Sequence, residues 1–184
     1  MSASQIPGYV SGTWTIDPAH SEVGFVVRHL MVSKVRGQFT KFEGSITTAP
    51  DPMDSAVSVT VELGSISTNN EQRDGHLRSA DFFDADSNPK MTFQSTALRQ
   101  TGDGFVVAGD LTIRGITKPL ELEVEVNGFG PDPYGGTRAG FTASGQLNRS
   151  DFGVTWNAAI EGGGVVVSEK VQLVLELEAV LDKA

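Results

Sequence analysis

Apolar and polar residues alternate with a period of two over long stretches of this chain. That pattern restricts it to strands that are wet on one face and dry on the other. Leu120, Leu122, Val124 and Val126 alternate with Glu121, Glu123 and Glu125, and Val57, Val59, Val61 and Leu63 with Ser58, Thr60 and Glu62. Val171, Leu173, Leu175 and Leu177 run with Gln172, Val174 and Glu176 between them. Phe105, Val107, Leu111 and Ile113 share a face across Ala108, Asp110 and Thr112. Weaker versions of the pattern cover 20–29, 34–47, 90–99 and 137–148. In 34–47 the apolar phase slips between Phe39 and Phe42, as it does at a bulge or bend where a strand turns a barrel corner. Turn-forming residues separate the segments at 101–104, at Arg114-Gly115 and at 130–136. The total is about eight long strands, the number whose closed barrel is filled by side chains or holds one small ligand.

One segment departs from the pattern. Thr68-Asn69-Asn70-Glu71 matches a capping box, with Thr68 as the cap and Glu71 reaching back. It predicts a short helix over 69–78 despite Gly75. Between the third and fourth strands of a barrel, such a helix covers an opening or an edge. A second short helix or turn is expected after Ser150, capped by that side chain. The 184 residues, with no repeat and no linker, predict one domain with residues 1–11 as a loose extension.

Charge and composition narrow the partners. The formal net charge is −9, which repels nucleic-acid phosphates and anionic lipid headgroups, so neither is an expected partner. No apolar run approaches the roughly 18 residues of a membrane helix, so stable membrane insertion is not expected. With 0 Cys there are no disulfides and no thiolate metal sites. The first residues form neither a basic n-region nor an apolar h-region, so the expected location is the cytoplasm.

The chemistry-bearing residues form no recognisable catalytic motif. His20, His29 and His76 show neither H-x-H nor H-E-x-x-H spacing. His20 and His29 stand an odd number apart on one expected strand, which pleating places on opposite faces; structural histidines, not metal ligands, are expected. Asp84-Ala85-Asp86-Ser87-Asn88 opens like a calcium loop, but Pro89 stands where Gly is needed and Ser95 where the bidentate Glu belongs. It is expected to be a polar turn. Ser144 lacks the first Gly of G-x-S-x-G, and Gly162-Gly163-Gly164 precedes a strand rather than a helix. The expectation is a protein that is not an enzyme and uses no metal or other cofactor.

Two features lean towards binding. The inward phases mix large residues (Phe25, Phe93, Phe105, Phe141) with small ones (Gly109, Ser95, Ala97, Ala143, Gly145). The small ones either leave room for a slim ligand or fit the taper of the barrel. The run from Val23 to Phe42 contains no acidic residue yet carries Arg28, His29, Lys34, Arg36 and Lys41. On the first hairpin these cations either meet an anionic or polar headgroup at the barrel mouth or form a solvated face.

A series of motifs opens with Trp14-x-Ile16-Asp17-x-x-His20-Ser21-x-Val23-x-Phe25-x-Val27-x-His29 and Val35-x-Gly37-x-Phe39-x-x-Phe42-x-Gly44. Thr68-Asn69-x-x-x-Arg73-Asp74-x-His76-Leu77-x-Ser79-x-Asp81-Phe82-Phe83 follows, then Gly109-x-Leu111-Thr112-Ile113-x-Gly115-x-Thr117-x-Pro119 and Arg149-x-Asp151-Phe152-Gly153. In this order the motifs resemble the YceI-like family of lipid-binding proteins.

The resemblance implies an extended, eight-stranded antiparallel lipocalin-like barrel. Its apolar cavity would take a polyisoprenoid, such as an isoprenoid quinone or a polyprenyl phosphate, for transport, storage or sensing. It also implies a homodimer. Strand phase combined with that fold marks Phe25, Val27, Phe39, Phe93, Phe105, Leu111, Leu122, Phe141, Leu173 and Leu175 as cavity residues. Arg28, His29, Lys34 and Arg36 are the candidate headgroup contacts. The rival readings are an enzyme that modifies an isoprenoid or acyl ligand with barrel-mouth histidines, and a filled barrel serving as a scaffold.

Overall fold

Alternation places the dry sides of eleven β-segments around one axis in the computed structural model, which describes residues 5–102 and 104–183. The segments are β1 (Gly12–Ile16), β2 (Glu22–His29), β3 (Ser33–Phe39), β4 (Phe42–Thr48), β5 (Ala56–Glu62) and β6 (Ile66–Ser67). After helix α1 (Glu71–Arg78) come β7 (Lys90–Thr101), β8 (Gly104–Ile113), β9 (Ile116–Pro131), β10 (Thr137–Asn148) and β11 (Lys170–Leu181). All pairings are antiparallel, and β11 closes the ring onto both β1 and β2.

Three staves of this barrel are each broken in two. β1 and β2 lie end to end along β11, with Trp14 opposite Leu181 and Phe25 opposite Leu173. β3 and β4 form the next stave, broken at Thr40-Lys41, and β5 and β6 the third. The ring is therefore an eight-stranded antiparallel barrel in simple meander order. The break at Thr40-Lys41 is the expected corner: it lets Phe39 and Phe42 both point inward, and both are buried. Two further slips act alike. A bulge between Ser95 and Ala97 turns Leu98 inward, and one at Gly140/Phe141 turns Phe129 inward on β9.

On its far side β3 pairs only through Gln38 and Phe39, leaving a seam before β7. Helix α1 and the segment behind it fill the seam, as expected for a helix between the third and fourth staves. Leu77 and Phe83 pack on the cluster of Ile16, Phe39, Phe42, Val61, Leu63 and Ile66.

The capping differs from the expected box. Asn69 has φ +59°, so the chain turns before the helix begins, and Asn70 is the cap, accepting from the Arg73 N–H at 2.9 Å. Thr68 instead binds buried Asp74 through both its N–H (2.9 Å) and its hydroxyl (2.5 Å). The second turn, a 3-10 helix over Arg149–Phe152, is not capped by Ser150; it follows Asn148 without a side-chain cap and ends at Gly153 with φ +73°. Asp84 closes the expected polar turn, its carbonyl accepting from Ser87 and Asn88.

One end of the barrel is sealed by aromatic rings. Trp14 is fully buried beside Ala139 and Ala179, edge-on to Phe129, which also meets Tyr9 and Phe141. Ile6 is buried there and the Tyr9 hydroxyl donates to the Ala49 carbonyl at 2.7 Å, so the extension expected to be loose is packed down from Ile6 onward. Residues 1–4 lie outside the described residues. The Trp14 indole donates to Thr48 Oγ1 at 2.8 Å. Trp14→Phe keeps the ring contact but leaves that bond unmade, and should lower stability by about 1–2 kcal/mol. A fall in the urea midpoint at unchanged slope would register it.

Candidate functional site

The inward phases of all eight staves face a single cavity of about 420 Å³, within the roughly 300–1,000 Å³ typical of ligand sites. It starts at Ile6, Tyr9, Phe129 and Phe141, passes Phe105, Val124 and Leu122, and reaches His29, Phe82, Trp156 and Val167 at the other end. All ten residues marked by strand phase together with the fold of the resembled family line it: Phe25, Val27, Phe39, Phe93, Phe105, Leu111, Leu122, Phe141, Leu173 and Leu175. Several of them, such as Phe25, Val27 and Leu173, are only half-buried although they point inward. They border open volume as well as their neighbours, Phe25 lying 5.8 Å from Phe39 between ring centroids.

The small inward residues mostly seat large ones. A Cβ at Gly37 would lie 2.3 Å from Phe25 Cζ, one at Gly109 2.4 Å from Phe93 Cζ, and one at Gly145 2.8 Å from Leu122 Cδ2. Taper, not vacancy, explains those positions. Ser95 Oγ accepts the Val57 N–H, and the bulge leaves Ala97 exposed; of the five small residues, Ala143 is the one that lines the cavity.

Strand phase did not reveal the wall at the second end. There His76, Leu77, Phe82, Phe83 and Trp156 join the lining from α1 and aperiodic segments. His76 stands edge-on to Phe82 and to Trp156, with ring centroids 5.1 and 4.7 Å apart. Three arginines hold this end together. Arg73 donates to Thr68 Oγ1 (2.7 Å) and to the Thr68 carbonyl (2.9 Å). Arg114 bridges the carbonyls of Phe82 and Gly153 at 2.8 and 3.0 Å. Buried Arg149 ties down a strap over residues 153–169 through the carbonyls of Val154, Trp156, Val167 and Ser168. The sequence signal for this wall was the family motif that carries His76, Leu77, Phe82 and Phe83; Trp156 stood in no motif.

The candidate headgroup residues separate. Arg28 and His29 line the cavity, but Lys34 and Arg36 are exposed and do not. Val35, Gly37 and Phe39 take the inner phase of β3, which sends Lys34 and Arg36 outward.

The histidines are not two faces of one strand. His20 belongs to a 3-10 turn before β2, its Nδ1 2.8 Å from Asp17 Oδ2, while His29 ends β2 and His76 lies 2.8 Å from Asp81 Oδ2. Asp17, His20 and Glu178 bring ligand atoms within 4.8 Å of one another. Arg138 already places a cation among them, donating to Asp17 at 2.9 Å and to Glu178. Its hydrogen bond, followed by that of His20, holds the Asp17 carboxyl down at about 2. A depressed carboxyl stabilises the fold fully above its ordinary range and loses that contribution as pH falls through the native value. Wild type should therefore lose more stability than Asp17→Asn between about pH 4 and pH 2, measured as urea midpoints across that window.

The model of the YceI-like domain matches residues 14–179. The chain belongs to this family. A UPF0312 protein of Serratia proteamaculans is 38% identical over 165 residues, covering 89% of this chain and 83% of the relative. Among solved structures, a YceI protein of Campylobacter jejuni is 32% identical with a TM-score of 0.74, covering 91% of this YceI-like chain and 96% of its own. A polyisoprenoid binding domain from Saccharophagus degradans shares the fold at a TM-score of 0.70 and 15% identity, covering 94% and 100%.

Proposed function

We propose that this YceI-like barrel binds an elongated apolar lipid, a polyisoprenoid such as an isoprenoid quinone or polyprenyl phosphate, for transport, storage or sensing rather than for catalysis. The supporting observation is the cavity itself: one volume walled by Val, Leu, Ile and Phe from every stave, reaching from Tyr9 to Trp156. Each 100 Å² of apolar chain withdrawn into it is worth about 2.5 kcal/mol before the costs of association and ordering. Such a wall reads width and length more than chemistry. The same fold in a domain described as binding polyisoprenoids supports the ligand class.

The test is extraction of the purified protein with organic solvent, followed by mass spectrometry and titration with an isoprenoid quinone. A near-stoichiometric prenyl lipid, or saturable quinone uptake, is expected. Absence of both a prenyl or acyl species and quinone uptake would overturn the reading.

A further inference from the structure

We propose that the β2–β3 turn and the adjoining strap form a docking surface for an anionic phospholipid bilayer, presenting the Trp156 end of the cavity to it. The occupant rests on the lipid-carrier reading, since a prenyl lipid resides in bilayers; the surface itself is argued from the residues.

The turn is unusual in sequence and in geometry. It runs His29-Leu30-Met31-Val32 and is closed by the Val32 N–H on the His29 carbonyl at 3.1 Å. Its two central residues have φ +52° and +60°, the left-handed region that such turns normally fill with Asn and Gly. Met31 is 54% and Val32 81% exposed. Leu30 is half-buried, but neither burial nor turn geometry accounts for Met31 and Val32 at this tip, whereas contact with an apolar phase does.

The strap extends the same surface. Leu30 N–H donates to the Val166 carbonyl at 2.9 Å, and His29 bridges to Val167. Val165, paired across its loop with Ala159, is 37% exposed. Met31, Val32 and Val165 are thus half of the six large hydrophobic residues exposed among the described residues, and they sit on two segments in contact. Beneath them, Arg28, His29, Val166 and Val167 line the cavity.

Charge supplies the choice of surface. Arg28 lies opposite Lys34 in the β2–β3 register, with Arg36 two residues along. All three are exposed, and none forms a salt bridge among the described residues. No carboxylate occurs between Val23 and Phe42. Of the acids on the strap, Glu169 is tied to Arg149 at 3.4 Å, and Glu161 remains on the loop tip. The net charge of −9 opposes adsorption of the molecule as a whole, but Asp51, Asp54, Asp132 and Asp182 cluster at the opposite, Trp14 end. The Trp156 end carries acids as well, on α1 and the segment after it, but Glu71 pairs with Arg78, Asp74 with Thr68 and Asp81 with His76, whereas the tip has three exposed cations and no carboxylate of its own. That local imbalance turns the basic tip towards an anionic surface. Each Lys or Arg held near such a surface strengthens partitioning roughly fivefold.

The experiment is co-sedimentation of the full chain with vesicles of phosphatidylcholine alone or of an equimolar mixture with phosphatidylglycerol. Binding to the mixed vesicles, weakening as salt rises, is expected. Lys34→Glu/Arg36→Glu should reduce it by roughly tenfold or more, and Met31→Asp/Val32→Asp should remove it. Circular dichroism checks that these exposed substitutions leave the fold intact. Wild type remaining in the supernatant with mixed vesicles, or folded variants sedimenting like wild type, would overturn the proposal. Extracted lipid is measured on the same preparations. Lipid present without vesicle binding removes docking and leaves the carrier, whereas tip-dependent vesicle binding with no lipid and no quinone uptake removes the carrier and leaves docking.

Discussion

Replacing Arg149 by Met is expected to cost about 3–5 kcal/mol, the range for stripping one partner from a buried charged network. The residue is 5% exposed, and burial pushes its guanidinium pKa down against the opposing pull of Glu169. Its fork is used throughout: Nε donates to the Ser168 carbonyl at 3.0 Å, Nη1 to Val154 and Trp156 at 3.0 and 2.8 Å, and Nη2 to Val167 at 3.5 Å. Methionine fills much of the same space but leaves the Val154, Trp156 and Ser168 carbonyls without that donor, Val167 keeping the one from Asn157 Nδ2 at 2.8 Å, and each loss costs about 1–3 kcal/mol where water cannot replace the bond. Arg149→Lys should fall between the two, because an ammonium cannot match a planar fork aimed at four carbonyls. The loss propagates to the cavity, since the strap carries Trp156 onto His76 and Phe82. Urea unfolding at neutral pH measures the effect, and an Arg149→Met midpoint indistinguishable from wild type would refute this account of the strap.

The contrast between Arg149 and the staves explains what was legible in the sequence. The inner faces of β5, β8, β9 and β11 could be read because strand period is fixed by backbone geometry, and every one of the ten chosen wall residues proved to line the cavity. Errors arose where one residue disturbs the frame. The extra residue at the Ser95/Ala97 bulge put Ala97 outside, and the positive φ of Asn69 moved the helix cap from Thr68 to Asn70. His20 left its expected strand because Asp17 and Pro18 start a 3-10 turn there. Lys34 and Arg36, expected to meet a headgroup, face away from the cavity that Arg28 and His29 line, and the alternation of Val35, Gly37 and Phe39 carried that information. Strand phase did not reach the Trp156 end. Its wall is held by arginine-to-carbonyl bonds, some within a few residues, as from Arg149 to Val154 and Trp156, and some between distant segments, as from Arg114 to Phe82 and Gly153, and no local period encodes them.

Val124→Trp is expected to empty the barrel of lipid without unfolding it. Val124 lies between Phe105 on β8 and Ala143 on β10, half-buried and facing the cavity. Enlarging a side chain in a filled core forces neighbours off their rotamers at about 1–3 kcal/mol, but here the indole grows into open volume and buries apolar surface. Thermal stability of the lipid-free protein should hold or rise. A lipid gains roughly 0.3 kcal/mol per heavy atom, so displacing five or more atoms costs about 1.5 kcal/mol, or tenfold in affinity. Glu123→Trp, exposed one position away on the outer face of β9, should leave lipid content unchanged. Val171→Trp applies the same block from β11. Lipid-to-protein ratios after extraction decide the matter: full loading of both folded lumen variants would mean that the bound molecule does not lie along the barrel axis.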